Sequence, residues 1–507
     1  MSDEGAAQMK FDNQGDAIAR EAPDDRVALI DLGTGVERRY TYGDLRRMTG
    51  AVARGLLKRG LQRGERVAIL SANRAEYLAT FLGAMQAGLV SVPVNWKLPA
   101  EAVAYVVEDS DARLAIGDEA RLALAPASID KVAFDKDFDA LLEEGPFTPV
   151  RMEPGDPAMF LYTSGSTGRP KGVVLSHWSH IWAMTARARW PGPPGQRSLV
   201  AAPLYHMNAL ASCQTIFSQG DCVVLLPQFT TKGYIEAAAQ YKVDFLTSVP
   251  TMIAMMLRET ELLAKTDLSS VRVVRMGSAP LSQSLIDQAQ ALFPQALVAN
   301  AYGTTEAGPV VFGPHPRGLP QPPLSPGYPH PSVELRLVRE GRTIEADDPQ
   351  GGVLEMKCGA LMTHYHKLPA KTAEVMTPDG FYRTGDVFRR DENGFFFFVG
   401  RADDMFVCGG ENIYPGEVEK MLEKHPAIHQ AAVIPVPDEL KGHKPIAFVV
   451  RSGDAALDEQ AVKQFALANA PAYQHPRRVF FIDEMPLAGT NKIDKRVLAK
   501  QIPAESS

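Results

Sequence analysis

The sequence predicts an α/β protein with two domains. Its large N-terminal domain has mainly parallel, helix-covered sheets plus an antiparallel, barrel-like subdomain, and the C-terminal domain is small and α+β. The chain has 507 residues, more than one ordinary hydrophobic core holds. Apolar, β-branched runs alternate with helical patterns over the first half, which is typical of parallel sheets covered on both faces. Closely spaced strand patterns follow. We place the large domain at 1–400 and the small domain at 401–507.

The first half supplies the alternating elements in order. The predicted elements near the N-terminus are a strand at 27–31, a helix at 41–59, a strand at 66–70, a helix at 76–87 and a strand at 89–94. Further buried strands are predicted at 222–226, 244–249 and 271–276. Such a series indicates βαβ crossovers.

The pattern changes from about Glu334, where strand patterns come close together. The turn signals between them are Gly351-Gly352, Asp379-Gly380 and Asn393-Gly394. Residues 313–331 are rich in Pro, Gly and His and are predicted to form an irregular loop. Beyond Gly400 the sequence predicts a hairpin, a helix at 415–425, strands at 431–435 and 446–451, a further helix and a charged tail.

Composition excludes some classes of function. Charged residues make up 22% of the chain and the formal net charge is −7, which argues against general electrostatic binding of nucleic acid or anionic lipid. The four cysteines lie far apart with no C-x-x-C pair, so neither a zinc ribbon nor a disulfide framework is indicated. The first residues lack an apolar signal core, and no apolar run reaches transmembrane length. We therefore expect a cytoplasmic protein.

A stretch rich in glycine and hydroxyl residues lies between a predicted strand at 158–162 and another at 173–175. It comprises Thr163, Ser164, Gly165, Ser166, Thr167, Gly168, Arg169, Pro170, Lys171 and Gly172. Bare glycine amides, hydroxyls and an ammonium group are the donors that phosphate oxygens need. Lys171 is followed by glycine, so the stretch is not a Walker A loop. Taken alone, it fits either a phosphate-binding loop or a polar surface loop.

The whole decapeptide closely resembles the phosphate-loop signature of the adenylate-forming (ANL) superfamily. That superfamily contains acyl-CoA synthetases, aryl-CoA ligases, firefly luciferase and the adenylation domains of peptide synthetases. Further motifs resemble those of the superfamily in the same order, from Tyr40 to Lys492. The resemblance implies an enzyme that uses ATP and Mg²⁺, with coenzyme A as co-substrate in the ligases, and a small domain that is mobile.

The resemblance also assigns a nucleotide site. In the motif at 301–308, the Tyr302 ring is expected to pack on adenine, Thr305 to contact the α-phosphate and Glu306 to hold Mg²⁺. A hard cation that bridges phosphates requires a carboxylate, so the role suits Glu306. The remaining ATP-binding residues expected from these motifs, beside those of the phosphate loop, are Gly277, Ser278, Ala279, Asn300, Ala301, Gly303 and Thr304.

Three charged residues match the segment that leads to the small domain. Asp386 corresponds to the ribose-binding aspartate, Arg401 to the linker arginine and Asp403 to the hinge aspartate. A carboxylate can accept hydrogen bonds from both ribose hydroxyls, and an arginine can donate to the sugar or to phosphate.

The small domain carries two further motifs. The loop 486–495 is similar to the one that bears the catalytic lysine, and Lys492 is the matching position, although Asn491 stands where glycine generally precedes the lysine. An ammonium group there would stabilise negative charge on the transferring phosphoryl group. Gly409 and Gly410 match the loop that opens the pantetheine tunnel for coenzyme A.

The acyl pocket is expected around residues 203–210, which are similar to the stretch whose histidine lies beside the carboxylate. His206 is that histidine, and the other expected lining residues are Asn208, Ser212, Gly303, Pro309 and Val310. Gly303 stands where acetate-specific relatives carry a bulky tryptophan, so the pocket is larger than acetate requires. Pro309 and Val310 resemble the wall of 4-coumarate–CoA ligases, whereas Asn208 replaces the aromatic partner expected there.

The sequence thus predicts an acid–CoA ligase that forms acyl-AMP and then acyl-CoA, releasing AMP and pyrophosphate. The expected acid is a medium- or long-chain fatty acid or an aromatic acid. One alternative is a dicarboxylate ligase, with Arg317 supplying a cation for the second carboxylate. Another is an adenylating enzyme that loads a carrier protein, and a third is a luciferase-like monooxygenase. A non-catalytic relative would be expected to lack Glu306, Asp386 or Lys492, and all three are present.

Overall fold

Strands and helices alternate along much of the chain in the computed structural model. The structure describes residues 11–164, 169–188, 194–279, 281–344, 348, 351–408, 411–438, 442–453, 457–488 and 493–503. The strands in these ranges are β1 (Val27–Asp31), β2 (Arg38–Thr41), β3 (Arg66–Leu70), β4 (Val90–Pro93), β5 (Ala112–Gly117), β6 (Asp130–Ala133), β7 (Pro157–Ser164), β8 (Pro170–Ser176), β9 (Arg197–Val200), β10 (Cys222–Leu225), β11 (Phe245–Ser248), β12 (Val273–Gly277), β13 (Leu297–Ala301), β14 (Phe312–Gly313), β15 (Tyr328–Pro329), β16 (Glu334–Arg339), β17 (Arg342–Thr343), β18 (Gly352–Lys357), β19 (His364–Tyr365), β20 (Tyr382–Arg390), β21 (Phe396–Arg401), β22 (Phe406–Cys408), β23 (Glu411–Ile413), β24 (Ile428–Asp438), β25 (Gly442–Arg451) and β26 (Arg478–Phe481).

The helices within the same ranges are α1 (Tyr42–Lys58), α2 (Ala75–Gln86), α3 (Ala100–Asp109), α4 (Glu119–Leu122), α5 (Phe138–Leu141), α6 (His177–Arg187), α7 (Met207–Gln219), α8 (Thr231–Gln240), α9 (Pro250–Leu257), α10 (Thr260–Leu263), α11 (Gln283–Leu292), α12 (Pro369–Val375), α13 (Pro415–Leu422), α14 (Glu459–Asn469) and α15 (Lys495–Lys500). In this part of the chain, no helix is both long enough and apolar enough to cross a membrane.

Two mainly parallel sheets organise the N-terminal domain. Among the described residues, each has seven strands, in the orders β13-β12-β11-β9-β10-β1-β2 and β19-β8-β7-β4-β3-β5-β6. The antiparallel strands lie toward the edges, where β2 pairs with β1 and where β8 pairs with both β7 and β19. The predicted α/β class is confirmed, and the predicted parallel strands are all found to within two residues at either end.

The cores show how the helices cover these sheets. One face of the first sheet packs on α8, α9 and α11, and its other face shares the largest core with α1, α2, α7 and the second sheet. The far face of the second sheet packs on α3. The result is a layered arrangement in which helices lie between the two sheets and on both outer faces.

Helix α1 illustrates why the sequence folds as it does. Thr41 caps its N-terminus by accepting a hydrogen bond from the Asp44 amide, and Asp44 accepts one from the Thr41 amide, which is a capping box. Leu45, Val52 and Leu56 follow at helical spacing and are fully buried. These signals are local, so the predicted helix at 41–59 is confirmed almost residue for residue.

The antiparallel subdomain is also confirmed. Its sheet has the order β17-β16-β18-β20-β21 in the described part of the chain. Gly380 and Gly394, at two of the predicted turns, both have a φ of 86°, a left-handed conformation that costs glycine little. Residues 313–331 are irregular as predicted, except that β14 pairs with β15 at the ends of that loop.

The C-terminal domain is built on a long hairpin. β24 and β25 pair antiparallel, and β26 adds a parallel strand to β25. Both hairpin strands are longer than predicted, because pairing continues through Pro435 and Pro445, which lie opposite each other. Helix α13 ends at Leu422, three residues before the predicted end at 425.

Candidate active site

A chain of hydrogen bonds joins four of the predicted site residues. Asp386 on β20 and Arg401 on β21 are cross-strand partners, and Arg401 Nη1 donates to Asp386 Oδ1 at 2.9 Å. The Tyr302 hydroxyl donates to the other oxygen, Asp386 Oδ2. Arg401 also donates from Nε and Nη2 to the two oxygens of Asp403, at 2.8 and 3.1 Å. The predicted ribose, linker and hinge residues therefore form one connected network.

The local backbone makes room for this network. Gly385 has a φ of 74°, and a Cβ atom there would lie 3.0 Å from Arg401 Nη2. Arg401 Nη1 donates in addition to the Thr384 carbonyl, at 3.2 Å. The guanidinium is thus held in a fixed plane, as two-pronged recognition of a carboxylate requires.

Burial and charge act in opposite directions on the network. Burial disfavours the charged Arg401, but hydrogen bonds and negative charge from Asp403 and Asp386 outweigh it and raise the pKa of Arg401. Burial likewise opposes ionisation of Asp403, yet the hydrogen bond from Arg401 lowers its pKa. Burial and the charge of Asp386 together raise the pKa of Tyr302, which keeps its hydroxyl proton available for donation.

Glu306 belongs to a second cluster beside the phosphate loop. The Tyr365 hydroxyl donates to Glu306 Oε1 at 2.8 Å, and the Glu306 carbonyl accepts from the Met362 amide at 2.6 Å. Lys171 lies over the Tyr365 ring, with Nζ 4.6 Å from the ring centre. Burial lowers the pKa of Lys171, while the charge of Glu306 opposes that shift. A predicted metal ligand and a predicted phosphate ligand are therefore neighbours.

The strands that flank the phosphate loop are placed as predicted, although both are longer. β7 and β8 pair antiparallel, with Thr163 opposite Lys171 and Ser164 opposite Pro170. Gly172 permits close packing, because a Cβ atom there would lie 2.9 Å from the Tyr162 ring. The loop residues Gly165, Ser166, Thr167 and Gly168 lie outside the described residues.

The turn after β12 has an unusual backbone. Gly277 is the register partner of Ala301 on β13, and a Cβ atom on Gly277 would lie 2.9 Å from the Ala301 carbonyl oxygen. Ser278 has a φ of 66°, which is uncommon for a residue with a side chain. Strained residues of this kind are concentrated at ligand sites. Ala279 is the next residue after Ser278. Asn300, at the end of the neighbouring strand β13, donates a hydrogen bond from its side chain to the Leu324 carbonyl at 2.8 Å.

The motif at 301–308 folds into a tight turn. Thr304 and Gly308 form an antiparallel bridge, and the Ala307 amide donates to Thr304 Oγ1 at 3.0 Å. Thr305 lies inside this turn, next to Glu306. A side chain on Gly303 would lie 2.8 Å from the Gly308 carbonyl oxygen and 2.9 Å from Pro309 Cα. The glycine at 303 is thus explained by packing of this turn.

The predicted acyl-pocket residues lie at the start of α7 and at the turn after β13. His206 is the N-cap residue of α7, and its ring centre is 4.7 Å from that of Tyr205. Ser212 donates to the Asn208 carbonyl at 2.7 Å, so its hydroxyl serves the helix backbone. Val310 packs with Ala183 of α6 and with Ala360. The predicted set is therefore divided between the first half of α7 and the contact of Val310 with α6.

The donor set around Glu306 is consistent with Mg²⁺ shared with phosphate. Within the described ranges, no group of three or more His, Cys, Asp and Glu side chains is arranged to hold a metal ion. Mg²⁺ in phosphoryl-transfer sites is commonly held by one or two carboxylates plus substrate phosphates. Glu306 supplies one carboxylate, and Tyr365 occupies only one of its oxygens.

Three predicted residues of the small domain, Gly409, Gly410 and Lys492, lie outside the described residues.

Two residues of the site, Tyr365 and Thr384, were not predicted from the sequence. Thr384 donates to the Leu354 carbonyl at 2.8 Å and accepts from the Asp386 amide at 3.0 Å, so it orients the aspartate. In the sequence, only the position of Thr384 two residues before Asp386 marked it as a candidate site residue. Tyr365 carries no such signal, because it lies 59 residues from Glu306.

Comparison with known proteins is consistent with this geometry. A family model described as "AMP-binding enzyme" matches residues 16–366, and one described as "AMP-binding enzyme C-terminal domain" matches residues 417–492. The chain is 34% identical over 463 residues to a feruloyl-CoA synthase of an Amycolatopsis species, which covers 90% of this chain and 92% of the relative. It is 33% identical over 492 residues to the fatty acid–[acyl-carrier-protein] ligase ScoC of Streptomyces coeruleorubidus, covering 93% of both chains.

Among solved structures, the ATP-bound crystal structure of MatB from Rhodopseudomonas palustris is similar over nearly the whole chain. The TM-score is 0.87 and the sequence identity 28%, with 96% of this chain and 98% of that chain covered. The same fold thus extends over both domains.

Proposed function

The chain belongs to the AMP-binding enzyme family, and on that basis we propose that it is an ATP-dependent acid–CoA ligase. It forms an acyl-AMP from a carboxylic acid and ATP with release of pyrophosphate, and coenzyme A then takes the acyl group and releases AMP. The observation that carries the proposal is the hydrogen-bonded network of Tyr302, Asp386, Arg401 and Asp403. It links a candidate nucleotide site to the start of the small domain, which we place after residue 400.

The first half-reaction needs a site for the nucleotide and stabilisation of charge. Asp386 presents carboxylate oxygens for the ribose hydroxyls, and Lys171 presents a cation beside the phosphate loop. A carboxylate oxygen of the acid attacks the α-phosphorus, and pyrophosphate leaves. Negative charge that develops on the phosphoryl oxygens is stabilised by positioned cations. We assign that role to Lys492, the last residue matched by the C-terminal family model.

Mg²⁺ is the cofactor that the ATP chemistry implies. Glu306 would hold it together with phosphate oxygens, and the ion would neutralise charge on the phosphates when bound. The Tyr365 hydroxyl donates to one Glu306 oxygen, and we propose that the other oxygen is the one that binds the ion.

The second half-reaction uses the same carbonyl with a different partner. The sulfur of coenzyme A attacks the acyl carbon, and the bond between that carbon and the AMP oxygen breaks. We propose that the small domain rotates between the steps, so that Lys492 serves the first step and the Gly409–Gly410 loop serves the second. Asp403 is the hinge residue for this rotation. Its two hydrogen bonds to Arg401 would be the contacts that change on rotation.

The acyl pocket favours acids larger than acetate. Two relatives are named for ferulic acid and for fatty acids, and both acids have an apolar body. Ala183 of α6 and Val310, the predicted wall of the acyl pocket, belong to one apolar cluster. We therefore expect an acid with an apolar chain or ring.

The test is AMP formation with ATP, Mg²⁺ and coenzyme A across acetate, octanoate, palmitate, benzoate, 4-coumarate, ferulate and malonate. We expect CoA-dependent AMP release with at least one acid larger than acetate. Lys492→Ala should nearly abolish it, and Lys500→Ala, at an exposed position on α15, should not. AMP release that never depends on coenzyme A would overturn the assignment of the acceptor.

A carrier protein is the second candidate acceptor, because one relative is named as an acyl-carrier-protein ligase. The two candidates differ in the final product. Supplying purified holo acyl carrier protein in place of coenzyme A, followed by intact-protein mass spectrometry, separates them directly. Acylated carrier protein without any acyl-CoA would favour this candidate.

A further inference from the structure

Two arginines of the large domain face the same space between the first sheet and α7. Arg275 is the central residue of β12, and Arg187 is the last residue of α6. The alternation along β12 fixes the direction of Arg275: Val274 and Met276 are buried against the outer helices, so Arg275 points to the opposite face.

Register places Arg275 at the candidate acyl pocket. Its cross-strand neighbour on β11 is Thr247, which lies on the same face because Leu246 packs on the outer helices. Thr247 Oγ1 donates to Asn208 Oδ1 of α7 at 3.4 Å. Arg275 therefore lies at the depth of Asn208, two residues before Gly277 on the same face of the sheet.

Arg187, on α6, lies near the same face of the first sheet as Arg275. Its guanidinium carbon is 5.9 Å from the ring centre of Phe245, which is on the same face of β11 as Thr247. The neighbouring α6 residues Ala183 and Ala186 pack with Val310, which is the predicted wall of the acyl pocket. Phe245 and Thr247 lie beside Val273 and Arg275 in the register of β11 and β12, so Arg187 and Arg275 lie near the same face of these two strands, and the positive charge of Arg187 contributes to a lower pKa of Arg275.

No acidic side chain of the described residues neutralises either arginine. Among the described residues, neither forms a salt bridge with an acidic side chain, whereas Arg38, Arg74 and Arg401 each pair with two carboxylates. Both side chains are half-buried. Burial lowers the pKa of Arg187, and burial together with Arg187 lowers the pKa of Arg275 to about 9. A guanidinium group stays protonated in proteins, so both side chains carry charge at pH 7.

Two adjacent, half-buried cations without an acidic partner are unfavourable unless an anion joins them. We propose that Arg187 and Arg275 form the distal end of the acyl pocket and bind a second anionic group of the acid, such as a carboxylate. This inference rests on the proposed function, since it names the substrate class of the same site. The substrate is then an acid with an apolar body and a negative charge at its far end.

The geometry also limits the length of the acid. Gly277 ends β12 at the candidate nucleotide site, where the reacting carboxylate must meet ATP, and Arg275 is two residues before it on the strand, which corresponds to about 7 Å. A six-carbon dicarboxylate or a benzene ring with carboxylates at opposite positions suits that spacing. Arg317, the other candidate cation, is exposed on the 313–331 loop and has no such position in the pocket.

The test compares acids that differ only in the distal group. Adipate is paired with hexanoate, and terephthalate with 4-methylbenzoate. For each pair, kcat/KM of AMP release is measured for the wild type, Arg275→Leu, Arg187→Leu and Arg275→Lys. Arg272→Leu is the matched control, because Arg272 precedes the same strand but is exposed.

The wild type should prefer the dicarboxylate of at least one pair. Each Leu variant should lose roughly 10- to 100-fold in kcat/KM for it, the effect of removing a hydrogen bond to a charged group. The kcat/KM of each Leu variant for the paired monocarboxylate should equal or exceed that of the wild type. Arg275→Lys should recover part of the lost kcat/KM for the dicarboxylate. Arg272→Leu should have the same kcat/KM values as the wild type. Equal use of both acids by the wild type, with no selective loss in the variants, overturns the inference and leaves the ligase assignment intact.

A binding measurement separates this inference from the ligase assignment. The change in Tm caused by each acid is recorded with α,β-methylene-ATP, which removes any need for turnover or coenzyme A. Dicarboxylate-specific stabilisation that is lost in Arg275→Leu supports the distal anion site even if no AMP is formed. Equal stabilisation by both acids of each pair, unchanged in Arg275→Leu, overturns it.

Discussion

Arg401 and Asp386 lie directly opposite each other on neighbouring strands, and the guanidinium Nη1 of Arg401 donates to Asp386 Oδ1 at 2.9 Å. Arg401 also binds Asp403, so one side chain connects the candidate ribose carboxylate with the candidate hinge. Nucleotide binding and rotation of the small domain would share this contact.

Replacing Asp386 with asparagine should weaken ATP binding. The substitution keeps the shape of the side chain but removes the charge that accepts from Tyr302 and Arg401. We expect KM for ATP to rise roughly 10- to 100-fold, in line with charge-assisted hydrogen bonds. Steady-state kinetics with saturating acid and coenzyme A give the value. Asp287→Asn, at an exposed position on α11, is the control, and an unchanged KM in Asp386→Asn would remove Asp386 from the nucleotide site.

Tyr365→Phe should alter the response to Mg²⁺. The variant removes the hydroxyl that donates to Glu306 at 2.8 Å and leaves the ring that packs beside Lys171. Loss of an orienting partner typically weakens metal affinity about 10-fold or more. The Mg²⁺ concentration for half-maximal AMP formation should therefore increase, while the maximal rate at high Mg²⁺ is largely recovered. A rate loss that Mg²⁺ does not repair would mean that Tyr365 acts in some other way.

Lys171 should impose an alkaline limit on ATP use. Burial lowers the pKa of its ammonium group, so the free enzyme loses this cation at a lower pH than an ordinary lysine would. We expect kcat/KM for ATP to fall on the alkaline side below the usual lysine range. Lys171→Arg should move that fall to higher pH, because a guanidinium stays protonated. Coincident pH profiles for the wild type and Lys171→Arg would show that another group sets the limit.

Glu76 should support the fold at neutral pH and lose this effect in acid. It accepts from Arg74 Nε and Arg38 Nη1, each at 2.7 Å. Burial opposes its ionisation, but these bonds lower the pKa of Glu76 from 4.5 to about 2. A lowered carboxyl pKa stabilises the folded state above the unfolded value of 4.5, and the contribution is lost as the pH falls through about 2.

Glu76→Gln should thus reduce the free energy of unfolding by roughly 3 kcal/mol at pH 7, the equivalent of that shift. The difference from the wild type should shrink as the pH is lowered from 4.5 toward 2. Urea unfolding at pH 7, 4 and 3 measures it. Glu144→Gln, at an exposed position, provides the baseline. A difference that stays constant across these pH values would contradict the assigned pKa.

The fold was predictable from sequence where its signals are local. The capping box at Thr41 and the buried β-branched strand Val27–Asp31 are local features, and both elements were predicted. Helices α6 and α7 were not, because residues are buried around much of each helix: His177, His180, Ala183 and Met184 on α6, for example. Such helices lack the polar face that gives a helical period.

Only those residues of the candidate site that belong to a recognisable motif were predictable from the sequence. Tyr302, Glu306, Asp386 and Arg401 each stand in a recognisable motif. Tyr365 does not, because its role depends on β19 lying along β8, which brings it beside Glu306. The two pocket arginines are a similar case: an arginine in a sequence is most often solvated, and only strand register shows that Arg275 faces α7.

Transfer of oxygen from the acid to AMP is the decisive sign of activation through an acyl-adenylate. The acid that gives the highest rate is prepared with ¹⁸O in both carboxylate oxygens, and AMP is collected from the reaction with ATP, Mg²⁺ and coenzyme A. If the carboxylate attacks the α-phosphorus and the thiol then breaks the bond to the acyl carbon, each AMP carries one ¹⁸O and one acyl-CoA forms with it. AMP that carries no ¹⁸O, or label found in inorganic phosphate, would show that the acid is not activated as an adenylate.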